Sequence, residues 1–193
     1  MSTSRGRAVL GLASLSLVAL LGACDDDDAS TPTTTTTPFT ATACASQTPT
    51  LRVDLIDDAI AAVERERGGP QRYYEINATE SLVNLFVAGD ETGEETGEVV
   101  PYTYVGGELS AQDPQTGAQG STFEAARVQF DPSKVTSCVG AALPDATIQA
   151  FDVLGGPGGA VQYSIIARSQ VGGQLVAVVD AQGNVQSVEA VDS

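Results

Sequence analysis

The sequence predicts an α+β fold, a two-layer, tandem helix-plus-antiparallel-sheet (αβββ) repeat, preceded by an apolar leader and a disordered tether. Three observations predict it. Two stretches with apolar residues at helical spacing each precede three stretches with alternating apolar residues. A polar, turn-rich segment separates the two sets. Residues 25–50 hold almost no large apolar side chain and cannot share a core with the rest. The expected organisation is therefore leader 1–23, tether 24–50, first unit 51–110, connection 111–122 and second unit 123–193.

The leader opens with Arg5 and Arg7, the only charges before Cys24, and Ala8 to Ala23 is almost wholly apolar or small. That is the outline of a secretory signal peptide. It is short for a transmembrane helix, and no basic stop-transfer flank follows. Leu21-Gly22-Ala23-Cys24 then resembles the lipobox of bacterial lipoproteins. With its Thr-rich continuation, the chain resembles actinobacterial lipoproteins. The resemblance implies that the Cys24 thiol receives a diacylglycerol and that a peptidase cuts between Ala23 and Cys24. It also implies a protein at the cell membrane, lipid-anchored on the extracytoplasmic face. The alternative is a plain secreted protein with an incidental cysteine at the cleavage site.

The tether, "DDDDASTPTTTTTPFTATACASQTPT", has Phe39 as its only large apolar residue. Thr and Pro favour extended conformations, so it reads as a spacer, and such stretches are typical O-glycosylation substrates. Asp25–Asp28 read as a solvated charge run, because no spaced oxygen-ligand loop is present. With Cys24 lipidated, Cys44 and Cys138 can pair in only one way, which would staple the tether to the folded part. The alternative is a buried thiol at Cys138 and a free one at Cys44.

The first unit opens on "LRVDLIDDAIAAVERERGGP", where Leu55/Ile56, Ala59/Ile60 and Val63 recur at helical spacing. Asp54 is the expected N-cap and Gly68 the left-handed residue that ends the helix. Extended stretches follow at 72–78, 81–88 and 98–106. In the second, Val83, Leu85 and Val87 alternate with Asn84, Phe86 and Ala88, which suits a central strand. Pro101 belongs on an edge or at a bulge. The second unit opens on "FDPSKVTSCVGAALP", with Asp131 as N-cap, Pro132 at the first helical position and Val135, Cys138, Val139 and Ala142 as the apolar stripe. Strands are expected at 147–154, 160–169 and 174–180, with Val185 to Val188 closing the sheet. Neither unit is large enough to be stable alone, so the two pack together through helices or sheet edges.

The ending "GGQLVAVVDAQGNVQSVEA" resembles the end of PepSY-type domains, in which a strand ends in Asp, a Gly-containing turn follows and a valine-rich strand returns. The first unit matches that family only in outline. The resemblance implies modulatory or inhibitory binding at the cell envelope.

Chemistry is limited by composition. The chain has no histidine, so the usual Ser-His-Asp and Cys-His arrangements and His-built zinc sites are excluded. Lys134, the only lysine, has no serine-lysine context, and "GGPGG" (155–159) lacks the Lys and Ser/Thr of a phosphate loop. The carboxylates of "GDETGEETGE" (89–98) do not fall at calcium-ligand spacing and read as a solvated hairpin tip. No catalytic residue, metal or cofactor is assigned. A net charge of -16 with scattered basic residues excludes a phosphate-tracking surface, and so nucleic acid as partner. The expected function is that of a non-enzymatic, lipid-anchored envelope protein that binds or supports an envelope partner. Two alternatives stand beside it. One is a carboxylate-dependent hydrolase of cell-wall material, with Glu75 and Glu80 as nearby candidates. The other is a carrier of lipid or a small apolar ligand.

Overall fold

The structure, a computed structural model, describes residue 44, residues 50–89 and residues 96–191. The leader, the Asp25–Asp28 run and the hairpin tip at 90–95 lie outside the described residues. A 3-10 turn at Arg52–Leu55 leads into helix α1 (Ile56–Arg67). Strands β1 (Arg72–Ala78), β2 (Val83–Ala88), β3 (Thr96–Val105), β4 (Glu108–Ala111), β5 (Gln115–Gln119) and β6 (Phe123–Glu124) follow. Helix α2 (Pro132–Ala142) precedes β7 (Ala146–Gly156), β8 (Ala160–Ser169), β9 (Gln174–Val179) and β10 (Val185–Val191).

These strands form one ten-stranded antiparallel sheet in the order β10-β9-β8-β7-β1-β2-β3-β4, with β5 added to β3 and β6 to β1. This corrects the tandem αβββ expectation. The first strand of each expected unit pairs with the other, Glu75–Ala78 against Phe151–Leu154, so the two edges become the centre of a single sheet. The physical reason is that a bare edge strand exposes unpaired N–H and C=O groups, and two such edges satisfy one another. The repeat is also broken by β5 and β6, since six strands follow α1 and four follow α2 among the described residues.

Both helices bury their apolar stripes on one face. Ile56, Ala59, Ile60 and Val63 of α1 and Val135 and Val139 of α2 join a core with Ile76, Leu85, Tyr102, Phe151, Val153, Tyr163 and Ile165. Alternation along each strand places these side chains on the same side. Phe130 packs against Phe151 and Tyr163, with ring centroids 5.0 and 5.8 Å apart. The Tyr163 hydroxyl donates to the Gln129 carbonyl (2.8 Å) and accepts from the Gln129 N–H (2.9 Å), pinning the segment that enters α2.

The caps differ in origin. Asp131 caps α2, its carboxylate accepting from the Ser133 N–H at 3.0 Å, with Pro132 in the first turn. Gly68 ends α1 at φ 81°. Asp54 is not the N-cap of α1. It lies in the preceding 3-10 turn beside Arg52 Nε (3.3 Å), and Leu55 occupies the cap without a side-chain bond. Pro101 is inside β3, where the outer neighbour changes from β5 (paired at 96–99) to β4 (paired at 102–105), so its missing N–H breaks no ladder. Gly155 is required by contact: a Cβ there would overlap the Ser121 carbonyl, where the chain crosses β7 on its way into β6.

Candidate functional site: a polar row across the second sheet face

The other face of the sheet has a different composition. Phe86, Leu154, Ile166 and Val176 point away from the core and are half-buried, and Val178 is exposed. Among the described residues, no helix packs on this face. Across its middle runs a row of polar residues fixed by register: Thr103 opposite Asn84, Asn84 opposite Asn77, Asn77 opposite Asp152 and Asp152 opposite Ser164. Five adjacent strands, β3, β2, β1, β7 and β8, each contribute one residue.

The bonds from Thr103 to Asp152 share one direction. Thr103 Oγ1 donates to Asn84 Oδ1 at 3.1 Å, and Asn84 Nδ2 donates to Asn77 Oδ1 at 3.4 Å. Asn77 Nδ2 then donates to Asp152 Oδ1 at 2.5 Å. The Ser164 side chain bonds to Asp152 from the other side. An ionised carboxylate only accepts, so its charge orients every amide that leads to it. Asp152 and Ser164 are each 6% exposed, so the row's acceptor end is shielded from water.

Glu75 lies on the same face, opposite Phe86 and Leu154, one step along β1 from Asn77. Burial raises its carboxyl above the ordinary value, and the Asp152 charge raises it further. Burial also raises Asp152, against the hydrogen bonds from Asn77 and Ser164 that hold it down. Both shifts have the sign of desolvated carboxyls without a cation. The Arg52–Asp54 and Lys134–Asp131 ion pairs do not reach this face.

The structure treats the residues singled out in the sequence as follows. Ala23 and Cys24 lie outside the described residues. Cys44 and Cys138 are joined by a disulfide with a Cα–Cα separation of 5.0 Å, and Cys138 lies on the buried side of α2. A loop of 94 residues closed in this way stabilises by roughly 4–5 kcal/mol in the chain-entropy model. Glu75 and Glu80 are not brought together: Glu75 faces Asp152, whereas Glu80 is exposed in the turn after β1. Lys134 Nζ sits 3.3 Å from Asp131 Oδ2 and from Gln182 Oε1, tying α2 to the β9–β10 turn. "GGPGG" forms the end of β7 and a 3-10 turn into β8.

Sequence reasoning missed Asn77, Asn84, Thr103, Asp152 and Ser164 as a group. The signal was present, since each is a polar residue between two core-facing apolar ones: Ile76/Ala78, Val83/Leu85, Tyr102/Tyr104, Phe151/Val153 and Tyr163/Ile165. Only register aligns them.

No group of three or more His, Cys, Asp and Glu among the described residues could hold a metal ion. No described helix is long and apolar enough to cross a membrane. In comparisons with known proteins, the chain matches no family model, no curated protein and no solved structure.

Proposed function

We propose that this chain is a lipid-anchored cell-envelope protein of non-enzymatic type, which binds or supports an envelope partner through the second face of its sheet. The observation that carries the reading is the make-up of that face. A face that only had to stay wet would carry charged side chains between the strands. This one carries an ordered polar row bordered by half-buried Phe86, Leu154, Ile166 and Val176. The lipobox-like Leu21–Cys24 stretch supports the membrane address, and the PepSY-like ending supports a modulatory role. Photo-crosslinking in cells tests the reading. A photoreactive residue at Leu154 should give a discrete adduct, and one at Ala61 on the outer side of α1 should not. Equal labelling from both positions would refute the choice of face. A Cys24→Ser variant should lose the acyl mass and leave the membrane fraction.

The raised carboxyls of Glu75 and Asp152 favour a second reading, a carboxylate-dependent hydrolase of cell-wall material. A purified chain that turned over peptidoglycan fragments, and lost turnover as Glu75→Gln while staying folded, would replace the first reading with this one.

A further inference from the structure

The junction of β1 with β7 is the one place where β1–β5 and β7–β10 meet as neighbours in the sheet. Only four residue pairs make it, from Glu75–Leu154 to Ala78–Phe151. On the core face, Ile76 against Val153 and Ala78 against Phe151 hold it by burial. On the second face, Glu75 and Asp152 sit diagonally across it. Diagonal neighbours on one sheet face lie close enough to interact, and like charges there oppose pairing. The groups facing Asp152 are Asn77 and Glu75 from β1 and Gln162, Ser164 and Ile166 from β8; those of β2 beside Glu75 are Asn84 and Phe86. None is cationic. Of the arginines on these strands, Arg72 donates to Thr122 Oγ1 at 2.8 Å, and Arg168 sits toward the far end of β8 opposite Thr147.

We propose that this junction is a proton-operated latch: one proton on the Glu75–Asp152 pair tightens the contact between the two halves of the sheet, and its loss sets two shielded negative charges against each other and loosens the contact. The proton comes from solvent, binds a carboxylate oxygen and returns to solvent, with no other bond made or broken. The directed row supplies the coupling, because the Asn77 amide that spans the junction is oriented by the charge on Asp152. The sign follows from linkage. Both carboxyls are raised in the folded chain, so their contribution to stability is complete below the ordinary carboxylate value. It is lost as pH rises through the raised values.

Thermal unfolding of the full chain at pH 4.5, the ordinary glutamate value, and at pH 7.5 tests the latch. The unsubstituted chain should melt about 3 °C or more higher at the lower pH. A Glu66→Gln/Glu108→Gln control, which removes two exposed carboxylates elsewhere, should keep that gain. A Glu75→Gln/Asp152→Asn variant should lose most of it. A full gain in that variant would overturn the proposal, since general relief of charge repulsion would then account for the effect. Should that variant not fold, carbon NMR titration of the two carboxyls in the unsubstituted chain decides. Titration of both above the ordinary carboxylate value supports the latch, and titration of either at the ordinary value overturns it.

Discussion

Asn77 on β1 donates to Asp152 on β7 across 2.5 Å, joining residues 75 positions apart at the centre of the sheet. The bond lies at the junction that makes one sheet of two sets of strands, and it joins the amides of the polar row to the carboxylate that orients them. Hydrogen bonds to a charged group contribute about 1.5–3 kcal/mol. Asn77→Ala should therefore cost about 2–3 kcal/mol in urea unfolding, because it leaves a shielded carboxylate one donor short. Thr103→Ala, at the far end of the row, should cost under about 1 kcal/mol. Equal costs would mean that Asp152 does not organise the row.

Gly155 has no room for a side chain against the Ser121 carbonyl. Gly155→Ala must displace the chain where it crosses β7 and should cost about 2 kcal/mol or more. Gly69→Ala, where an added Cβ meets nothing within 4 Å, should cost little. Denaturation midpoints compare the two directly.

The Tyr73 hydroxyl is buried with no hydrogen-bond partner among the described residues, and burial pushes its ionisation upward. Its ring packs against Phe123 at 5.9 Å, so the ring contributes and the hydroxyl detracts. Tyr73→Phe should leave stability unchanged or raise it by about 1 kcal/mol. A loss of more than about 1 kcal/mol in calorimetry would show that the hydroxyl has a partner after all.

Two other carboxylates carry the opposite pH dependence. The Ser133 side chain, with Lys134 and the Ser133 N–H, holds Asp131 below its ordinary value against slight desolvation. Burial works to raise Asp180, but the Asn184 side chain (2.7 Å) and the N–H groups of Asn184 and Gln182 (each 2.9 Å) outweigh it and hold it low. Their stabilisation is full above the ordinary aspartate value of 3.8 and fades as pH falls through the lowered values. Together with the raised pair, these four groups stabilise most near the ordinary carboxylate values, and their contribution falls on either side. Asp180→Asn should flatten the acid side of a urea-midpoint profile and leave the side above pH 5 as it was.

Much of the local structure was legible. Alternation in "RYYEINA" and "AVQYSIIARS" marks β1 and β8, and Asp131-Pro132 marks the start of α2, because those signals lie within a few residues of one another. Asp54 misled because Leu51 and Val53, both buried, draw the chain into a 3-10 turn before α1 begins. Nothing local says that Glu75–Ala78 will face Phe151–Leu154, so the sequence divides the sheet in two. The polar connection has the composition of a boundary, yet 115–119 pairs with β3. The same distance in sequence hid the candidate site. Glu75 was singled out, but its partner on the second face is Asp152 and not the nearer Glu80.

The binding face and the latch both require that β1 and β7 be neighbours in one sheet. Interstrand nuclear Overhauser effects in the full chain measure this most directly. The account requires contacts between Ile76 and Val153 and between Ala78 and Phe151, with slow amide exchange along both strands. Absence of those contacts, with β1 and β7 each exchanging as a free edge, would contradict it.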